Sequence, residues 1–155
     1  MRSRLSYAVF FAAVTLAATN CPAQERQIKR SEPQPAVEAR VAAESAGAVI
    51  KGFSAEKEKG HTYYEMELSV NGRSKDVTMD EAGAFVEVEQ EVVFDELSLA
   101  VKDGLKAKAG TGKIVKVESL TKHDKLVAYE ADVVMAGQRS EIQVGPDGKP
   151  LSHGE

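Results

Sequence analysis

Thr62-Tyr63-Tyr64-Glu65-Met66-Glu67-Leu68-Ser69-Val70, then Asn71-Gly72, then Arg73-Ser74-Lys75-Asp76-Val77-Thr78-Met79, is the stretch from which the architecture can be read. Tyr64, Met66, Leu68 and Val70 fall on one side of an extended chain, and Tyr63, Glu65, Glu67 and Ser69 on the other. A period of two with one apolar side predicts a half-buried strand. Asn71-Gly72 tolerates positive φ at both residues, so it predicts a tight hairpin. The chain then returns with Val77 and Met79 inward and Asp76 outward. Asp80-Glu81-Ala82-Gly83 reads as a further turn, and Phe85 to Val88 as a last strand.

Working outward, the same pattern recurs at an offset of 65 without a gap: Tyr64-Glu65 falls on Tyr129-Glu130, Gly72 on Gly137 and Gly83 on Gly148. Apolar positions follow, Leu68 on Val133, Val70 on Met135, Val77 on Ile142 and Met79 on Val144. The spacing predicts an internal duplication. Ahead of the first set of strands, Pro35 to Ala46 carries Val37 and Val41 four apart and predicts a helix that stops at Gly47. Ahead of the second, Asp95 reads as an N-cap, with Phe94 and Leu99 as a hydrophobic staple. Leu97, Val101 and Leu105 continue that helix to Gly110 or Gly112. Leading strands are expected around Ala48–Ser54 and Lys113–Leu120. The expected fold class is α+β: a tandem repeat, residues 35–92 and 93–155, each copy one helix packed on a three- to four-stranded antiparallel sheet.

The string Tyr129-Glu130-Ala131-Asp132-Val133, Gly137 and Glu141-Ile142-Gln143-Val144-Gly145-Pro146-Asp147-Gly148-Lys149 resembles the PepSY-like domain family, also called beta-lactamase-inhibitor-like. Residues 64–68, Asn71-Gly72 and residues 77–83 carry a looser version of the pattern, so the resemblance spans roughly residues 35–151. It implies an exported bacterial protein, tandem in build, whose sheet binds another protein or peptide. The Pro-Gly that the family places between helix and first strand is replaced by Ala46-Gly47 in one half and Thr111-Gly112 in the other.

The N-terminus reads as an address. Arg2 and Arg4 precede the apolar run Leu5–Ala18, and small residues Cys21 and Ala23 stand before a cut after Ala23. That is the layout of a signal peptide, residues 1–23, and the run falls short of the roughly 20 residues that span a bilayer. Ala18 and Asn20 occupy positions where a lipoprotein signal places Leu and Gly or Ala, which disfavours lipid on Cys21. Residues 24–34 are polar and charged and read as a flexible leader. Cleavage removes two basic residues and no acid, leaving 18 basic against 24 acidic residues and no cysteine. The expectation is a periplasmic or secreted protein with no transmembrane segment in its mature chain. The whole chain, at −4, lacks the basic footprint of a nucleic-acid binder.

No catalytic set emerges. His61, His123 and His153 fall in loops or at the terminus, and no His-Glu-x-x-His or Gly-x-Ser-x-Gly occurs. Gly110-Thr111-Gly112-Lys113 lacks the spacer and Ser/Thr of a phosphate loop. No cofactor and no metal site is expected. With Tyr64 and Tyr129 turned inward, Tyr63, Glu65, Glu67, Asp76, Glu130, Asp132 and Glu141 share the outward side. This is an ordinary solvated face or a surface that docks a basic partner. The expected function is a non-enzymatic binding module that presents this face to an envelope protein or peptide, as an inhibitor in one form. A divalent-cation or small-molecule sensor is the alternative.

Overall fold

A computed structural model describes residues 26–155; the expected export signal lies outside the described residues. Strand β1 (Arg26–Gln27) is followed by helix α1 (Pro35–Glu44) and by strands β2 (Val49–Glu58), β3 (His61–Val70), β4 (Arg73–Met79) and β5 (Phe85–Glu91). A 3₁₀ turn at Phe94–Glu96 leads into α2 (Leu99–Ala109), then β6 (Lys113–Lys122), β7 (Lys125–Met135) and β8 (Gln138–Val144). All eight strands form one antiparallel sheet in the order β1 to β8, each strand bonded to its sequence neighbours.

This overturns the expected tandem repeat in which each copy is one helix packed on a three- to four-stranded sheet. The strand β5 does not stop at Val88. It runs on to Glu91 and pairs with β6, from Glu87 opposite Lys122 to Glu91 opposite Glu118. The Val92 N–H then donates to the Val117 carbonyl at 2.9 Å. The physical reason is edge satisfaction. Two closed small sheets would each leave a row of unpaired backbone groups at the point where they meet, and pairing β5 with β6 removes both.

Both helices lie on one face. On α1, Val37 and Val41 are completely buried against Phe53, Met66, Leu68, Val77 and Met79. On α2, Val101 and Leu105, with Leu97 ahead of them, pack on Val117, Ala131 and Val144. Tyr64 and Tyr129 turn toward these two clusters. The second helix starts later than its sequence suggests. Asp95 sits in the 3₁₀ turn, the Ser98 hydroxyl caps the helix by accepting from Val101 N–H, and Leu99 is 70% exposed rather than stapled. Gly83 and Gly148 hold positive φ, +75° and +77°, where side chains are rarely accommodated. Each presses a turn onto a helix: a Cβ on Gly83 would meet the Ala36 carbonyl of α1, and one on Gly148 the Ala100 carbonyl of α2. Gly104 completes the second contact, because a Cβ there would land on the Gly148 carbonyl.

Candidate functional site

Strand alternation, which buries Met66, Val77, Val117 and Ala131 beneath the helices, sends their neighbours to the face that neither helix covers. The register sorts that face into rows. Gly52, Glu67, Asp76 and Glu89 lie side by side across β2 to β5. That row runs on through the buried Leu120 and Ala128, while Glu91, Glu118, Glu130 and Gln143 form a second row across β5 to β8 and Lys116, Asp132 and Glu141 the next. Ser54, Glu65, Thr78, Glu87 and Lys122 make a fourth. The residues expected from sequence, Tyr63, Glu65, Glu67, Asp76, Glu130, Asp132 and Glu141, all fall here by this alternation. Glu67 stands directly opposite Asp76, and Asp132 opposite Glu141, while Tyr63 sits toward the far end of β3 opposite Glu56.

The centre of the face joins Asp76, expected from sequence, to residues the sequence reading did not single out, Glu89, Glu91 and Glu118. Asp76, Glu89 and Glu118 bring one carboxylate oxygen each to within 4.8 Å of one another. Glu91 joins them through Ser74, whose N–H donates to Glu91 at 3.0 Å and whose hydroxyl lies 3.3 Å from Glu91 and 3.2 Å from Glu118. These groups flank the β5–β6 pairing. The available signal was the run Glu87, Glu89, Glu91, a period-two continuation of β5.

Like carboxylates this close do not all ionise at neutral pH. Burial, followed by the charges of Glu87, Glu130, Glu118 and Asp76, pushes Glu89 up to about 8. Burial and then the charge of Glu118 push Asp76 up to about 6, against the pull of Lys116. Glu130 is raised by burial, although the amide of Gln143 donates to it at 2.6 Å. Burial acts to lower Lys116, but its contact with Glu118 at 2.6 Å holds it above the ordinary lysine range. Other cations edge the field: Arg139 stands 3.8 Å from Asp132, and Lys122 lies 3.6 Å from Glu87 and 3.9 Å from Glu155.

Chemically, the arrangement stores protons and negative charge. Among the described residues, Asp76, Glu89 and Glu118 are grouped so as to offer oxygens to a hard cation, but three oxygens are about half of what calcium takes. With Glu89 pushed up to about 8, the site keeps a proton at neutral pH where a cation would need a third charge. His61, His123 and His153 are all exposed. A groove of about 420 Å³ beside α2, lined by Phe94, Lys106, Ile114 and Val115 among others, contains no histidine.

No family model matches the chain, and no curated protein does. Solved structures do. A DUF2874 family protein from Bacteroides ovatus matches with a TM-score of 0.60 at 18% identity, over 77% of this chain and 85% of that one. A BLIP-like protein from Bacteroides fragilis matches with a TM-score of 0.57 at 20% identity, over 77% and 83%. A candidate periplasmic protein from Bacteroides eggerthii matches with a TM-score of 0.62 at 18% identity, over 77% and 86%. At these identities the likeness establishes the fold: the chain has a BLIP-like fold.

Proposed function

We propose that the chain is an exported, non-enzymatic binding module whose sheet face opposite the helices docks a basic protein or peptide of the cell envelope. The observation that carries this reading is the assembly of Glu67, Asp76, Glu89, Glu118, Glu130 and Asp132 in adjacent rows on one face. An array of carboxylates attracts a cationic partner, speeds encounter and selects against acidic competitors. The B. fragilis neighbour's description as BLIP-like lends support to a binding role, and inhibition of the bound protein is the form of that role we favour. Export is supported by the segment from Arg2 to Ala23 and by the B. eggerthii neighbour's description. Among the described residues, no helix is long and apolar enough to cross a membrane.

The test compares wild type with a variant carrying Glu65→Gln, Glu67→Gln, Glu130→Gln and Asp132→Asn in affinity capture from envelope extract, at low and at high salt. A partner retained by wild type, lost by the variant and weakened by salt is the expected result. Equal recovery by both proteins removes the acidic face from the account. Calorimetry with calcium and magnesium separates the cation-sensing alternative, which the Asp76, Glu89 and Glu118 oxygens would have to serve. Stoichiometric heat that disappears with Glu89→Gln would favour it over docking.

A further inference from the structure

The face opposite the helices is not open along its whole length. Leu120 and Ala128 lie on it, in the row of Asp76 and Glu89, yet they are 3% and 0% exposed. Neither helix is on that side, so other parts of the chain shield them.

The segment after β8 comes to this place. Beyond the turn at residues 145–148 the chain doubles back: the Gly145 N–H donates to the Lys149 carbonyl at 2.8 Å, and Val144 bridges Pro150. Val144 is buried in the α2 cluster, so alternation turns the next position, Gly145, to the opposite face, at the end of the row that holds Leu120 and Ala128. The Leu151 side chain sits on that position, 3.4 Å from where a Gly145 Cβ would stand. Four residues on, the Glu155 N–H donates to the Gln143 side-chain oxygen at 2.9 Å, and the Glu155 carboxylate lies 3.9 Å from the Lys122 ammonium. Gln143, on β8, belongs to the row on one side of Leu120 and Ala128, and Lys122, on β6, to the row on the other side. A residue that touches both crosses over the row between them.

We infer that residues 151–155 are a strap that closes the apolar end of the docking face from within the chain, and that a partner segment displaces it to reach Leu120 and Ala128. What displaces the strap rests on the docking reading above; closure itself does not. The contacts suit a device that opens. Leu151 is half-buried and residues 152–155 are exposed. The Glu155–Lys122 pair is long, and Lys122 is shared with Glu87 at 3.6 Å. Such a pair shifts a closed-to-open ratio by about fivefold at most. The strap gives up an apolar seat inside an acidic field, so the partner it yields to is a basic segment that also carries apolar side chains.

The test reads closure and docking separately. In a Cys21→Ser background, Ala128→Cys reports opening through its rate of reaction with a thiol reagent under native conditions. Leu120→Cys repeats the reading at a second place, and Ala131→Cys, on the same strand but in the α2 cluster, is the control. Deleting residues 151–155 should speed labelling at 128 and 120 about tenfold and leave 131 unchanged. Glu155→Gln should speed it about threefold, and added salt should do the same to the parent but little to Glu155→Gln. Equal rates with and without the strap overturn the inference, and so does equal acceleration at all three cysteines. Docking is read with a synthetic peptide of alternating lysine and leucine. The strap deletion should bind it about tenfold more tightly, and Glu67→Gln with Asp76→Asn more weakly. Binding that needs Glu67 and Asp76 but ignores the strap overturns displacement. A peptide that does not bind, or that ignores Glu67 and Asp76, overturns the docking reading and displacement with it, while labelling still decides closure.

Discussion

Replacing Glu89 by Gln should make the protein more stable in mild alkali and leave it nearly unchanged in acid. Glu89 binds its proton up to about pH 8 in the fold but only to 4.5 ordinarily, because it is buried among Glu87, Glu130, Glu118 and Asp76. Between those two pH values the folded state holds a proton that the unfolded chain has released. Stability therefore falls as pH rises through this window, and is unaffected by Glu89 below it. At about 1.4 kcal/mol per pH unit the ceiling is roughly 5 kcal/mol. Water reaches part of the side chain and neighbouring carboxylates share the proton, so about 2 kcal/mol is the reasonable size. Asp76 titrates in the same direction but is complete near pH 7, its carboxyl being pushed up to about 6, so the interval from pH 7 to 9 isolates Glu89. Urea unfolding of wild type and Glu89→Gln at pH 5, 7 and 9 measures the effect. A gap near zero at pH 5 should open to about 2 kcal/mol at pH 9, or about 1 M in urea midpoint. Parallel stability profiles across the whole range would refute the claim that Glu89 is forced to keep its proton.

Two further outcomes follow from local geometry. Gly104→Ala normally strengthens a helix by about 1 kcal/mol, but here the new methyl collides with the Gly148 carbonyl, so a net loss of about 2 kcal/mol is expected in thermal unfolding. Ser98→Ala should cost about 1 kcal/mol through loss of the cap on Val101 N–H, whereas Asp95→Ala, outside the helix, should cost less than half of that in the same melt.

Much of the sheet was legible because the alternation in Tyr64, Met66, Leu68 and in Tyr129, Ala131, Val133 is uninterrupted, and because Asn71-Gly72 and Ala136-Gly137 allow few conformations. The uncovered face was legible for the same reason, since inward apolar residues fix where Glu67, Asp76, Glu130 and Asp132 must go. What escaped was pairing between stretches distant in sequence. Nothing in the residues of β5 states that its partner lies beyond a helix, because edge bonding is a property of backbone and not of side chains. Missing that junction meant missing Glu89, Glu91 and Glu118 as neighbours of Asp76. The start of α2 was misread because Asp95 and Ser98 are both good caps, and the 3₁₀ turn at Phe94–Glu96 decides between them. Gly104, a residue type that ordinarily weakens a helix, is a point of closest approach.

The unbroken β1-to-β8 order has a consequence for how the molecule is made. No strand waits for a partner from the far end of the chain, so a polypeptide delivered N-terminus first can zip up in sequence, with little loop-closure entropy at each step. The exceptions are the helices: α1 has no seat until the turn at Gly83 has arrived, nor α2 until Gly148 has. Assembly should thus close in two rounds, each helix waiting for the turn that follows its strands to click beneath it.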